Sequence, residues 1–330
     1  MRRREFIKTI AGSVIAWPLA VRAQQGEQVR RVGMLSLLAE TDPQRQTWTS
    51  AFRQRLNELG WIEGRNIHVD YRWAAGSVDR VQLFAKELIA LNPDVLVSVT
   101  TPATAALQRE TKTIPIIFTD VSDPVGSGFV ASLANPGGNI TGFINIEGSL
   151  AGKWVELMHE VVPSVSRVGV MYNPSTAPYA KYYVDAFRTA AAAFAISPVE
   201  APVLSAAEAE AFMIKLSDEA GPGLVVAPET SMILYRQAII AQAERSHLPT
   251  IYPFTFFVSE GGLMSYGIET ADLFRGAATY LDRVLKGAKP NELAVQLPTK
   301  FELAVNLKTA KTLGIKFPQT VIARADEVIE

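Results

Sequence analysis

The chain has 330 residues, is 48% hydrophobic and 20% charged, and carries a formal net charge of −1. That length suits two domains of ordinary size, and the apolar content is ample for two cores. The chain has no cysteine, which excludes disulfides, thiolate nucleophiles and zinc–thiolate centres.

Residues 1–23 read as a cleavable export signal. Arg2, Arg3 and Arg4 form a charged start, and Thr9 to Ala20 is an apolar run too short to span a bilayer. Val21-Arg22-Ala23 fits a small-residue cleavage site, with cleavage after Ala23. Within this segment Arg3-Arg4-Glu5-Phe6-Ile7-Lys8 resembles the twin-arginine export motif. The segment carries five basic groups and one acid, so its removal moves the formal charge to −5. A mildly acidic mature chain is a poor nucleic-acid binder, so no nucleic-acid partner is expected.

From Arg31 onward strands and helices alternate. Val32 to Leu37 is predicted as a buried strand, Gln44 to Leu59 as a helix, and Ile67 to Arg72 as a strand. A helix over Val78–Leu91, a strand over Val95–Val99 and a short helix over Pro102–Glu110 follow. The stretch from Ile116 to Asn145 organises the rest. Ile116 to Phe118 reads as a strand, and Thr119, Asp120, Ser122 and Asp123 follow it at once. Asp123-Pro124 reads as a helix start, with a helix to about Ala134 that Asn135-Pro136-Gly137-Gly138-Asn139 stops. Ile140 to Asn145 then leads away toward a second domain.

The pattern repeats in the second half. Predicted helices cover Leu150–Val161, Pro178–Phe194, Ala206–Glu219 and Ser231–Ser246. Predicted strands cover Arg167–Tyr172, Ser197–Pro202, Leu224–Ala227, Thr250–Tyr252 and Gly262–Tyr266. Glu269 to Lys286 is an amphipathic helix, Glu302–Asn306 is strand-like, and Leu307–Leu313 is a short helix. The fold class is therefore α/β, with two doubly wound parallel-sheet units. A tail this long implies that the chain crosses between the units more than once.

Candidate functional residues collect at the carboxyl ends of the predicted strands, where ligands bind in such sheets. They are Ser36, Thr100, Thr101, Asp120, Ser122 and Asp123 in the first unit. In the second they are Tyr172, Asn173, Ser175, Glu229, Tyr252 and Tyr266. Hydroxyls beside helix N-termini suit a carboxylate, acids suit an ammonium group, and tyrosines can flank a ring. The same residue types also serve as turn formers and caps, and Asp123 and the tyrosines fit such structural roles as well. Gly126, Gly128 and Ala131 match GxGxxA, but too far from their strand for a dinucleotide fingerprint. His68, His159 and His247 show no metal-ligand pairing, and no nucleophile elbow or P-loop is present. No metal or cofactor is expected.

The chain resembles the substrate-binding proteins of bacterial ABC importers, within the family that includes tryptophan- and tyrosine-binding members. The likeness is carried by Asp123-Pro124-Val125-Gly126-Ser127-Gly128 and by Asn135-Pro136-Gly137-Gly138-Asn139-Ile140-Thr141-Gly142. It continues in Tyr172-Asn173-Pro174, in Glu260 to Gly267, in Pro298 to Leu303 and in Asn306 to Gly314. The resemblance implies a type I periplasmic-binding fold, with two lobes joined by three crossings near Thr141–Asn145, Tyr266–Ile268 and Leu297–Lys300. It places residues 24–142 plus about 267–298 in the first lobe, and 143–266 plus about 299–330 in the second. It further implies a monomer in the periplasm that captures an amino acid or a related carboxylate. That ligand would be delivered to a membrane permease and its ATPase, without catalysis. Two other readings stand beside it: a protein that presents its ligand to a receptor, and an exported enzyme using Asp123 or Glu229 as acid or base.

Overall fold

The computed structural model describes residues 29–330; the expected export signal over residues 1–23 lies outside the described residues. The first lobe alternates β1 (Arg30–Ser36), α1 (Pro43–Glu58), β2 (Ile67–Trp73), α2 (Val78–Ala90), β3 (Val95–Val99), α3 (Thr101–Glu110), β4 (Ile116–Val121) and β5 (Ile140–Ile144). Its strands are parallel, in the order β2-β1-β3-β4-β5. Parallel pairing throughout leaves all the strand carboxyl ends on one edge of the sheet. Local chemistry fixes the helix starts. Asp42 caps α1 by accepting from the Gln44 N–H at 2.8 Å, with Pro43 in the first turn, and Ser77 caps α2.

The second lobe runs through α4 (Leu150–Val161), β6 (Arg167–Tyr172), α5 (Ala180–Ala191), β7 (Ser197–Pro202), α6 (Ala206–Ser217) and β8 (Pro222–Val226). It goes on with α7 (Thr230–Leu234), α8 (Arg236–Arg245), β9 (Thr250–Tyr252), α9 (Thr255–Ser259) and β10 (Met264–Ile268). Helix α10 (Thr270–Leu285) then returns to the first lobe. There its Phe274 stacks on Trp48 of α1 at 5.6 Å, and its Asp282 accepts from the Trp61 indole at 2.9 Å. The chain comes back through β11 (Phe301–Asn306), α11 (Leu307–Thr312), α12 (Gln319–Ile322) and β12 (Glu327–Ile329). The second sheet has the order β12-β11-β10-β9-β8-β6-β7, and β10 and β11 pair antiparallel. That reversal departs from an all-parallel plan. It arises because the excursion through α10 makes the chain re-enter the sheet from the opposite direction.

Three local expectations need correction. Residues Ile140–Ile144 do not leave the sheet; they form its fifth strand, and the crossing starts at Asn145. Gly142 makes that pairing possible, because a Cβ there would stand 2.0 Å from the Phe118 carbonyl oxygen. The helix expected over Pro124–Ala134 is instead a series of turns. Asp123 has φ 42° and accepts from the Gly126 N–H at 2.9 Å, and Gly128 has φ 70°, so side-chain and glycine turns replace the helix ladder. The helix expected over Ser231–Ser246 is broken at Tyr235 into α7 and α8.

Candidate functional site

The carboxyl ends of both sheets face each other across the gap between the lobes. On the first-lobe side the decisive feature is a β-bulge. Strand β4 stays in register with β5 from Ile116 to Phe118, then shifts before Val121, so that Thr119 and Asp120 face Phe143 alone. Bulges re-aim side chains at strand ends. Here Asp120 takes φ 56°, and its carboxyl is buried, with the residue 7% exposed. Its Oδ1 accepts from the Asn145 amide at 3.2 Å, and its Oδ2 has no hydrogen-bond partner among the described residues. Burial pushes this carboxyl up to about 7, against the pull of the Asn145 hydrogen bond.

Next to it, Thr100 bonds through its N–H to the Thr119 carbonyl at 3.0 Å and stands at the start of α3 with φ 87°. Its hydroxyl does not cap the helix and is buried without a partner. Thr101 accepts the Ser122 N–H at 3.2 Å, and the Ser122 hydroxyl donates to Asn145 Oδ1 at 2.9 Å. The first lobe therefore offers an under-satisfied acid, an uncapped ten-residue helix and an unpartnered hydroxyl side by side.

The second-lobe side is built differently. Glu229 is 4% exposed, and protein donors occupy both its oxygens. Oε1 accepts the Asn173 and Met232 N–H groups, both at 3.2 Å, and Oε2 accepts the Ser231 N–H and the Thr176 hydroxyl, both at 2.7 Å. Burial pushes its carboxyl up to about 7, while these donors pull against the shift. Asn173 in turn takes the Ser175 N–H at 2.8 Å. The side chains of Tyr179 and Tyr183 cross the gap. Tyr183 OH stands 2.9 Å from Ser122 Oγ and 2.8 Å from the Ile146 carbonyl. Tyr179 is buried next to Ser122 and Thr101, where burial and the charges of Glu229 and Asp120 all push its hydroxyl pKa up.

Two cavities open between the lobes. One, of about 550 Å³, is lined by Thr101, Ala105, Asp123 and Phe129 from the first lobe and by Pro178, Tyr179 and Tyr182 from the second. The other, of about 410 Å³, lies among Gly76, Asn173, Ser175, Thr176, Ser231 and Tyr235. Away from the cavities, Arg236 of α8 donates to Asp42 at 2.9 Å, and Trp48 meets Phe256 edge-on at 6.2 Å between ring centroids. The lobes are thus in contact on both sides of the gap.

Measured against the residues singled out by sequence, Thr100, Thr101, Ser122 and Asp123 gather on the first-lobe wall, and Asn173, Ser175 and Glu229 on the second. Four residues have other roles. Ser36 is fully buried and accepts the Leu38 N–H, closing the turn after β1. Tyr172 points to Glu200 of the neighbouring strand, with its hydroxyl 3.4 Å away. Tyr252 is a core residue, stacked on Phe257 at 5.0 Å beneath Gly262. Tyr266 stacks on Phe301 between β10 and β11 at 6.1 Å. Glu229 holds a full set of donors and has no acceptor position left for an ammonium group. Asp120, one of the polar residues noted after Phe118, joins the first-lobe wall, whereas Asn145, Tyr179 and Tyr183 were not among the candidates.

Comparison with known proteins places this geometry. The chain is 28% identical over 269 residues to the tyrosine-binding protein of Clostridioides difficile strain R20291, covering 80% of this chain and 76% of that one. It superposes at a TM-score of 0.85 on an ABC domain from Streptococcus pneumonia in complex with L-Trp, with 26% identity, 92% of this chain and 100% of that one covered. A ligand-free, open substrate-binding protein from Clostridium difficile gives a TM-score of 0.68, with 25% identity, 91% of this chain and 99% of that one covered. At near-equal identity, the chain as a whole superposes more closely on the L-Trp complex than on the open form. ABC solute-binding proteins of 15–17% identity share the architecture, two α/β lobes of the type I periplasmic-binding fold. The profile of the family described as ABC transporter substrate binding protein matches residues 37–329, and the chain belongs to that family.

Proposed function

We propose that this chain is the extracytoplasmic solute-binding component of an ABC importer, and that it closes on an aromatic α-amino acid. The observation that carries this reading is the pairing of Asp120 with the start of α3. Asp120, a largely buried residue, offers a carboxylate oxygen with no protein donor, which suits an ammonium group. At this uncapped helix start Thr100 offers its hydroxyl and Thr101 its backbone N–H to a carboxylate. The two halves of an amino-acid head group would then bind to neighbouring strand ends. Phe129, Tyr179 and Tyr182 in the larger cavity supply apolar and aromatic surface for the side chain. The names of two relatives, one binding tyrosine and one solved with L-Trp, support the same class. In this reading the lobe containing β1–β5 and α10 holds the head group. The other lobe closes over it, and the closed monomer docks on a membrane permease driven by its ATPase.

Calorimetry of residues 24–330 with tryptophan, tyrosine, phenylalanine, the branched-chain amino acids and a neutral sugar tests the proposal. Binding of at least one aromatic amino acid at micromolar Kd or tighter, about −8 kcal/mol, is expected. Failure of every amino acid, with tight binding of the sugar, would overturn it.

A further inference from the structure

Asn145 is the first residue of the crossing that follows β5, and it is 2% exposed. Every polar atom of its side chain is engaged. Its Nδ2 donates to Asp120 Oδ1 at 3.2 Å. Its Oδ1 accepts the Ser122 hydroxyl at 2.9 Å and the Ile146 N–H at 2.6 Å. The Ser122 hydroxyl lies in turn 2.9 Å from Tyr183 OH, which comes from α5 of the other lobe. Each hydroxyl has one proton to give. The Tyr183 proton has two acceptors in reach, Ser122 Oγ and the Ile146 carbonyl at 2.8 Å, while Ser122 donates to the Asn145 carbonyl and the Asn145 amide donates to Asp120. Hydrogen-bond chains of this kind polarise one another in a low-dielectric interior. The chain spans the second lobe, the first-lobe strand end and the crossing itself, and it ends on the acid with the free oxygen.

We infer that Asn145 is a positioning residue through which closure of the second lobe, sensed at Tyr183, orients Asp120 for the ligand's ammonium group. The inference rests on the proposed role of Asp120. When the lobes part, Tyr183 leaves Ser122, and the Ser122 and Asn145 groups are free to turn. Asp120 then loses the donor that fixes its plane. Ligand affinity and lobe closure are coupled at this one residue, with no contact needed between ligand and crossing. The titratable groups that face Asp120 are Tyr179 and Tyr183, both from the start of α5, with Glu229 beyond Tyr179.

The experiment compares Asp120→Asn, Asn145→Ala and Tyr183→Phe in residues 24–330. Calorimetry with L-tryptophan and L-tyrosine is run between pH 5.5 and 8.5, beside a fluorescence pair reporting the distance between the lobes. Tyr183→Phe removes a single hydroxyl, so it carries the test if Asn145→Ala does not fold. Its expected Kd is about tenfold weaker, the effect of one lost hydrogen bond. Its ligand-induced closure should be smaller at matched occupancy. Asn145→Ala should weaken binding about 30-fold and move the pH below which binding is lost to a higher value, since the carboxylate loses its one donor. A residue that only stabilises the fold would weaken binding equally at every pH, and that outcome overturns the inference. Wild-type Kd and closure in Tyr183→Phe overturn it too. If these occur while Asp120→Asn fails to bind, the amino-acid reading stands alone. If Asp120→Asn binds as the wild type does, both readings fall.

Discussion

Asp120 and Glu229 are buried acids at the gap-facing ends of their two sheets, and the contrast between them separates site from scaffold. Asp120 lies in the last residues of β4 and Glu229 just beyond β8, both are more than nine-tenths buried, and burial pushes both carboxyls up to about 7. Glu229 accepts four hydrogen bonds from its own lobe, three of them from backbone N–H groups at the start of α7 and beside Asn173. Asp120 accepts one. A buried carboxylate with four donors is a cap and a clamp, and has nothing left to offer. A buried carboxylate with one donor is costly in the empty protein, and a ligand cation offsets that cost. Burial and charge alone do not tell the two apart; the count of donors does.

Exchanging each acid for its amide breaks this comparison most directly. Asp120→Asn should weaken aromatic amino-acid binding by about 100-fold or more, the loss expected when a buried charge pair loses one member. The stability of its ligand-free form should hold or rise. Glu229→Gln should do the reverse. The amide nitrogen cannot accept from two of the four N–H and O–H donors, and about 3 kcal/mol of stability should be lost. Urea midpoints and calorimetry on the two variants decide it. Equal losses of affinity would return Glu229 to the ligand site.

The pH dependence of the ligand-free protein comes next in size. Both acids have folded-state values near 7, above their ordinary values of 3.8 and 4.5. The folded state therefore binds more protons than the unfolded one between about pH 4 and 7, and stability falls as pH rises through that window. Asp120 alone should contribute about 2 kcal/mol of this fall between pH 5 and 8. The carboxyls held below their usual range, Asp70, Asp185 and Glu160, finish titrating below that interval. Melting scans at pH 5 and pH 8 should show the higher Tm at pH 5. Saturating ligand should shrink the difference, because an ammonium group keeps Asp120 ionised. Asp120→Asn and Glu229→Gln should each remove a comparable part of the slope, since both folded values lie near 7.

The sequence displayed this contrast only in part. Alternating strand and helix signals located both sheets, since a buried parallel strand reads as a short β-branched run wherever it falls. They also placed Thr100, Thr101 and Ser122 at strand ends, because polarity changes abruptly there. Orientation was not legible. Strands β6 and β9 are buried on both faces, so no alternation tells which way Tyr172 or Tyr252 turns. The bulge in β4 was also hidden, because the extra residue shows only in the register against β5. Asp123, beside a proline, looked like a helix cap, and Asp120 was one of several polar residues after Phe118, with nothing in the sequence to set it above its neighbours. Tyr183 lay in plain view on an apolar helix face, where a core role and a contact with the other lobe look alike.

The smallest effect in the comparison is a pair of hydroxyl deletions. Thr100 and Thr176 are both buried threonines at strand ends, one in each lobe. The Thr100 hydroxyl has no partner, whereas the Thr176 hydroxyl donates to Glu229 at 2.7 Å and lies 2.8 Å from the Ser231 hydroxyl. Valine keeps the shape and the β-branching in both places, so backbone strain at Thr100 is unchanged. Removing an unsatisfied buried hydroxyl costs the empty protein nothing, and Thr100→Val should be as stable as the parent or up to about 1 kcal/mol more so. It should still weaken aromatic amino-acid binding about tenfold, since the ligand carboxylate loses a donor. Thr176→Val should lose about 1–2 kcal/mol of stability, because the Glu229 carboxylate drops to three donors. Its affinity should stay within about threefold, a change of under 1 kcal/mol. Urea denaturation and calorimetry on these two single variants read four numbers. If Thr100→Val proves the destabilised one and keeps its affinity, the first-lobe wall is scaffold, and the ligand's carboxylate must bind elsewhere.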